Sequence, residues 1–238
     1  MVELLNIAVK AHGGLDRWQA IRSIRVAASI TGAIWFVKGQ GDVLKDVVLK
    51  AETTSERLTV DFPGQDKVAS FEPRRITIRH SDGTLVAERI DPEASFAEQR
   101  RGTPWDEIHV IYFVGEALWT YLNTPFLYTQ EGFITEEIAP IEVDGEVWRR
   151  LQVTFPDRVK SHTRTQISCF GPDGLLRRHD YTVDILGGAT GLNYASDYRD
   201  VGGIVVPTKR RIFAFEGDYV PVCDPLLVRI DMGEITLG

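Results

Sequence analysis

Three Asp-Gly pairs, Asp82-Gly83, Asp144-Gly145 and Asp173-Gly174, each separate two runs in which apolar and polar residues alternate. Asp-Gly readily adopts the left-handed backbone of a two-residue hairpin turn, whose twist matches the strands it joins. Such turns build antiparallel sheet. Alternation and β-branched content extend the strand reading over 24–37, 43–50, 56–62, 67–71, 75–80 and 84–90. It resumes over 134–143, 147–155, 162–170, 175–186, 193–200, 204–215 and 226–236. No βαβ alternation interrupts the series, which argues against a doubly wound parallel sheet. The fold class expected is mainly β with a few helices: one large curled antiparallel sheet, a half-barrel, forming a single domain over 1–238.

Two helical segments break the strand texture. Residues 1–22 read as an N-terminal helical segment, with a helix over 3–11, a Gly13-Gly14 stop and a further turn through Trp18. The second is a helix over 104–122, begun by Thr103 and Asp106 as a capping box, with Pro104 at the first helical position. Ile108, Ile111, Tyr112, Gly115, Leu118, Trp119 and Leu122 fall at helical spacing on one of its faces. So apolar a helix is expected to be mostly buried, as a plug or lid covering the concavity of the sheet. His109 lies off that stripe and is expected at the surface or a boundary.

Charge and composition exclude several classes. The net charge of −7 opposes nucleic-acid binding, which needs a basic surface. No stretch approaches the roughly 20 apolar residues of a membrane span. The first residues lack a secretory leader pattern, so the expected address is cytoplasmic, and Cys169 and Cys223 are expected as free thiols. The signatures of nucleotide, metal and serine-hydrolase sites are missing, and the five histidines show no ligand spacing. No cofactor and no metal are expected. The partner expected is a small-molecule ligand or substrate, for a monomer or a homodimer paired through a sheet edge.

The candidate site comes from polar residues where a core face should be apolar. Over Leu175–Ile185, one alternating set ends in Val183 and Ile185 and carries Arg177, His179 and Tyr181; the other ends charged. Period-two alternation therefore points Arg177, His179 and Tyr181 inward. Arg149 shares a face with Leu151, Val153 and Phe155, and is inward by the same argument. Between these runs, His162, Arg164, Gln166 and Ser168 alternate with Ser161, Thr163, Thr165 and Ile167, so neither face is greasy. Buried Arg and His cost several kcal/mol unless paired. Either they join internal salt bridges with Glu116, Glu137, Asp197 or Asp200, or they line a site for an anionic or polar ligand head. Catalytic candidates are His179, His162 and Tyr181; ligand-binding candidates are Arg149, Arg177, Arg164, Tyr112, Trp119 and Tyr198.

The opening Ala11-His12-Gly13-Gly14-Leu15 leading to Ile21-Arg22-Ser23-Ile24, with the hairpins at Glu142–Leu151 and Asp173–Leu176, resembles the LolA/LolB/LppX-like superfamily of bacterial lipoprotein carriers. That resemblance implies a half-barrel whose concave face is covered by helices. Trp105-Asp106, Trp119-Thr120-Tyr121-Leu122, Gly174–Tyr181 and Val206–Arg211 resemble more closely a bacterial family of similar length with no assigned activity. The superfamily hosts both carriers and a pigment-pathway enzyme, so two functions are implied. One is binding of a small amphipathic or anionic organic molecule in the concavity. The other is a cofactor-independent enzyme (isomerase, cyclase, lyase or hydrolase) using His, Tyr and Arg there.

Overall fold

The protein is described over residues 2–238 by a computed structural model. Its strands are β1 (Ser23–Thr31), β2 (Val47–Glu52), β3 (Leu58–Phe62), β4 (Lys67–Glu72), β5 (Arg75–His80), β6 (Leu85–Ile90) and β7 (Ile134–Val143). There follow β8 (Glu146–Thr154), β9 (Thr165–Phe170), β10 (Leu176–Val183), β11 (Ala189–Val201), β12 (Ile204–Glu216), β13 (Val220–Val222) and β14 (Val228–Leu237). They form one 14-stranded antiparallel sheet in the order β6-β5-β4-β3-β2-β1-β14-β12-β11-β10-β9-β8-β7, with β13 paired to β12 beside this path. The rims β6 and β7 do not pair with each other, so the sheet is a half-barrel. The three Asp-Gly pairs join β5 to β6, β7 to β8 and β9 to β10.

The helices are α1 (Glu3–Ala11), α2 (Leu15–Gln19), α3 (Ala33–Val37) and α4 (Glu107–Asn123). α3 replaces the end of the strand expected over 24–37. α4 begins later than the sequence suggests, because its cap is Asp106: the carboxylate accepts the His109 N–H at 2.9 Å, and His109 Nδ1 accepts the Asp106 N–H in return. His109 is therefore buried in a reciprocal cap rather than lying at the surface.

Every residue of α4 from Ile108 to Asn123 is buried, so the helix has no solvent face. One flank packs on β2–β5, whose inner faces are uniformly apolar: Leu49, Leu58, Val60, Phe71 and Ile76 are all fully buried. The contact is close at Gly115, where a Cβ would stand 2.3 Å from the Phe71 ring. The other flank faces β10–β12.

The even residues of β10 behave differently from the solvated face expected of them. Arg178 and Asp180 sit on the convex side yet are buried, with the guanidinium donating to both carboxylate oxygens at 2.6 and 2.9 Å and lying over the Trp148 and Tyr194 rings. Cys169 and Cys223 are free thiols.

Candidate functional site

Between α4 and the inner faces of β10, β11, β12 and β14 lies a cavity of about 490 Å³. Val114, Ala117 and Leu118 of α4 line one side; Val183, Ile212 and Ile230 line the other. Its mouth is framed by α3, the 99–101 loop and the segment around Pro225 and Leu227. The Lys38 ammonium at this rim donates to the Arg100 carbonyl at 2.8 Å.

The floor is polar. Tyr121 of α4 and Tyr181 of β10 share a hydroxyl–hydroxyl hydrogen bond of 2.5 Å at the edge of the cavity. Behind them the inner face of the sheet continues with His179, Asn193 and Arg210, each no more than 1% exposed. His179 opposes Asn193 across β10 and β11, and its ring meets those of Tyr121 and Tyr181 edge-on. Neither of its nitrogens has a protein hydrogen-bond partner. Burial, reinforced by the Arg210 charge, pulls its pKa down to about 3, so the imidazole is neutral at ordinary pH. Burial likewise pushes the Tyr121 and Tyr198 hydroxyls up to about 12.

His162 forms a second polar element on the cavity wall. Its Nδ1 stands 2.6 Å from Glu116 Oε1, and both side chains are buried. Burial raises the Glu116 carboxyl above the usual carboxylate range, against the pull of His162. His162 also lines a cleft of about 260 Å³ beside Glu93, Tyr112 and Lys160, so the pair forms a partition between two spaces. Nearby, burial lifts Glu56 to about 8, although its oxygens accept the Lys160 N–H at 3.1 and 3.0 Å. Among the described residues, no three His, Cys, Asp or Glu side chains gather as metal ligands.

The structure brings only some of the sequence candidates together. His162, Tyr181 and His179 converge on this floor: Tyr181 lies 5.0 Å from His162 and 5.3 Å from His179, ring centre to ring centre. Arg149 instead pairs with Glu137 and with Glu3 of α1 at 2.7 and 3.1 Å. Arg177 sits in a β-bulge, where the β9–β10 register slips between Leu176 and Arg178. The slip breaks the alternation that pointed it inward, and it pairs with Glu146 and Asp173 at 3.2 and 2.9 Å. Arg164 is exposed beside Asp157.

Tyr112 packs against Phe71 and Phe96, and the Trp119 indole donates to the Glu52 carbonyl at 2.8 Å; neither lines the larger cavity. Tyr198 is edge-on to His12, its hydroxyl buried without a protein partner. Tyr121, Asn193 and Arg210 were not among the candidates. For Arg210 the signal was present: Ile204, Val206, Thr208, Arg210 and Ile212 alternate on one face of β12.

No protein-family profile matches the chain, and no curated protein matches it in sequence. Solved structures do match. A DUF1329 family protein from Desulfovibrio piger superposes with a TM-score of 0.54 at 12% identity, covering 98% of this chain and 91% of that one. A LolA superfamily protein from Nitrosomonas europaea gives a TM-score of 0.51 at 11% identity over 94% of this chain and 91% of its own. The fold is LolA-like. An outer membrane lipoprotein-sorting protein domain from Vibrio parahaemolyticus follows, with a TM-score of 0.47 at 10% identity over 98% and 91% of the two chains.

The LolA-like fold overturns the cytoplasmic address. The match to the LolA superfamily protein points away from the cytoplasm. The expectation had rested on the missing leader pattern in the first residues, which says nothing of where a chain works.

Proposed function

We propose that this LolA-like protein binds one apolar or amphipathic small molecule, its apolar body between α4 and β10–β14 and its polar end toward Tyr121 and Tyr181. The observation that carries this reading is the cavity itself. Its volume of about 490 Å³ falls within the roughly 300–1,000 Å³ of small-molecule pockets, and its walls are apolar above a few convergent polar groups. The LolA superfamily neighbour supports a hydrophobic occupant in general. Arg149 and Arg177 are committed to carboxylates of the chain itself, so neither serves as the polar anchor.

Native mass spectrometry of freshly purified protein, repeated after denaturation, tests the reading: a released small molecule supports it. Binding of a neutral fluorescent apolar probe, N-phenyl-1-naphthylamine, is a second test. Ala117→Trp should fill the space beside α4 and weaken probe binding by about 10-fold or more, the protein remaining folded. A bare mass together with no probe binding rejects the proposal.

One observation favours the enzymatic alternative, a cofactor-independent isomerase, cyclase, lyase or hydrolase. The His162–Glu116 pair stands at the wall between cavity and cleft, where a buried acid–base couple can exchange a proton with a bound molecule. His179 suits that role poorly, since a group held at about 3 is a weak base near neutral pH. Incubation with the molecule released from the purified protein distinguishes the two. Turnover that disappears in a folded Glu116→Gln variant establishes the enzyme; an unchanged molecule leaves binding alone.

A further inference from the structure

We infer that the cavity selects an apolar monocarboxylate, whose head group is held by Arg210, with Asn193 and His179 as neutral donors, at the deep end of the space. The inference rests on the reading of the cavity as a binding site.

Arg210 is the anomaly that carries it. The residue is 1% exposed, yet its two protein acceptors are neutral: Asn193 Oδ1 at 3.5 Å and the Tyr121 carbonyl at 3.2 Å. Its guanidinium carbon stands 4.7 Å from the centre of the Tyr121 ring, and its Nε meets no protein acceptor. Among the described residues no carboxylate forms an ion pair with it; burial pulls its pKa down, opposed by the tyrosines 121, 198, 181 and 128. The same sheet shows how this chain otherwise buries an arginine. Arg178, 4% exposed on the convex side, has both Asp180 oxygens as partners. An uncompensated buried cation is costly, and a partner carboxylate offsets that cost where the geometry is good and further hydrogen bonds satisfy the pair. On the concave side the described residues supply Arg210 with none.

The surroundings suit a carboxylate supplied from the cavity. Ile212 and Ala214, on the same face of β12, line the cavity, as does Ile230, which lies opposite Arg210 on β14. Tyr121, whose ring the guanidinium covers, lines it too. The polar floor is thus the next layer of the same surface. Asn193 Nδ2 and the His179 nitrogens lack protein partners and are buried there. Because His179 is neutral, the layer carries a single positive charge. One carboxylate balances it; a dianionic phosphate would leave a negative charge buried. The Tyr121–Tyr181 hydrogen bond is the seam that the head group must part or replace.

Competition against bound N-phenyl-1-naphthylamine tests this, using dodecanoate, dodecan-1-ol and dodecyl phosphate at mildly alkaline pH. Dodecanoate should displace the probe at about 10-fold lower concentration than the alcohol, the scale of a charge-assisted hydrogen bond. Arg210→Met should still bind the probe and lose that preference. Asn193→Leu, which leaves the cation in place, should reduce the preference while leaving the alcohol unchanged, and serves if the methionine variant does not fold. Equal displacement by acid and alcohol in the wild-type protein overturns the inference. So does a preference that survives in folded Arg210→Met, or phosphate displacing better than carboxylate. Failure of the probe to bind at all rejects the cavity reading instead, before the anchor is tested.

Discussion

The two halves of the sheet curl over the same helix with opposite chemistry. On β2–β5 the inner residues are aliphatic or aromatic, they meet α4 directly, and Phe71 presses so close that only glycine fits at 115. On β9–β12 the inner positions include Gln166, Ser168, His179, Asn193, Thr208 and Arg210, all buried, and beside this polar layer a cavity opens between the sheet and the helix. A fold that needed only stability would use the first solution twice, since buried polar groups without partners are expensive. One half fixes the helix in place; the other gives it something to face.

The largest expected effect separates the halves by truncation. Phe71→Ala should cost about 3–5 kcal/mol in denaturant unfolding, because the filled half must accept a new void. Ile212→Ala, bordering space that already exists, should lie near the bottom of its usual range, about 2 kcal/mol. Equal losses would break the distinction between a sealed half and an open one.

A second test uses acid. His179 and His12 are held by burial at about 3 and about 4 in the folded protein, against 6.5 when unexposed to it. Between pH 6.5 and those values the unfolded chain binds protons that the folded chain refuses, so stability falls as pH falls through this window. Urea midpoints should therefore drop on acidification below about 6.5, and His179→Leu should shallow the slope. An unchanged slope in that variant would mean that His179 is not buried as a neutral ring.

The smallest effect is expected at Arg164. Its exposed pairing with Asp157 is of the kind that contributes about 0–1 kcal/mol, so Arg164→Ala should alter neither melting nor probe binding appreciably. A clear loss of binding would extend the site beyond the cavity.

Local chemistry explains what could be read from the residues alone. The Asp-Gly hairpins and the apolar run of α4 announce themselves within a few residues, and the large curled antiparallel sheet follows from the series of strands. Its LolA-like character comes from the resemblance of the opening segment and two of the hairpins. α3 does not: Ile34-Trp35-Phe36-Val37 has strand composition. It turns because Gly32 adopts a φ of 132° against the Leu227 backbone, and because the N–H groups of Ala33 and Ile34 are taken by the Leu226 and Leu227 carbonyls. Those partners lie nearly 200 residues away in the chain, beyond any local pattern. Arg177 was misplaced for a similar reason, since a bulge shifts the face of a residue without leaving a local mark. Arg210 is different. Its alternation with Thr208 and Ile212 is legible in the sequence, but the neutrality of its acceptors is not, because they come from β11 and α4.

The unmatched rims of the sheet bear on how much the interior can hold. In a closed barrel, strand number and stagger set the girth, and no occupant can change it without breaking a ring of hydrogen bonds. Here β6 and β7 never meet, so no such ring exists. With no closing ring, strand number and stagger alone do not fix the girth of the trough. Its calibre is thus set by the twist between neighbouring strands and by what packs inside the curl, α4 above all.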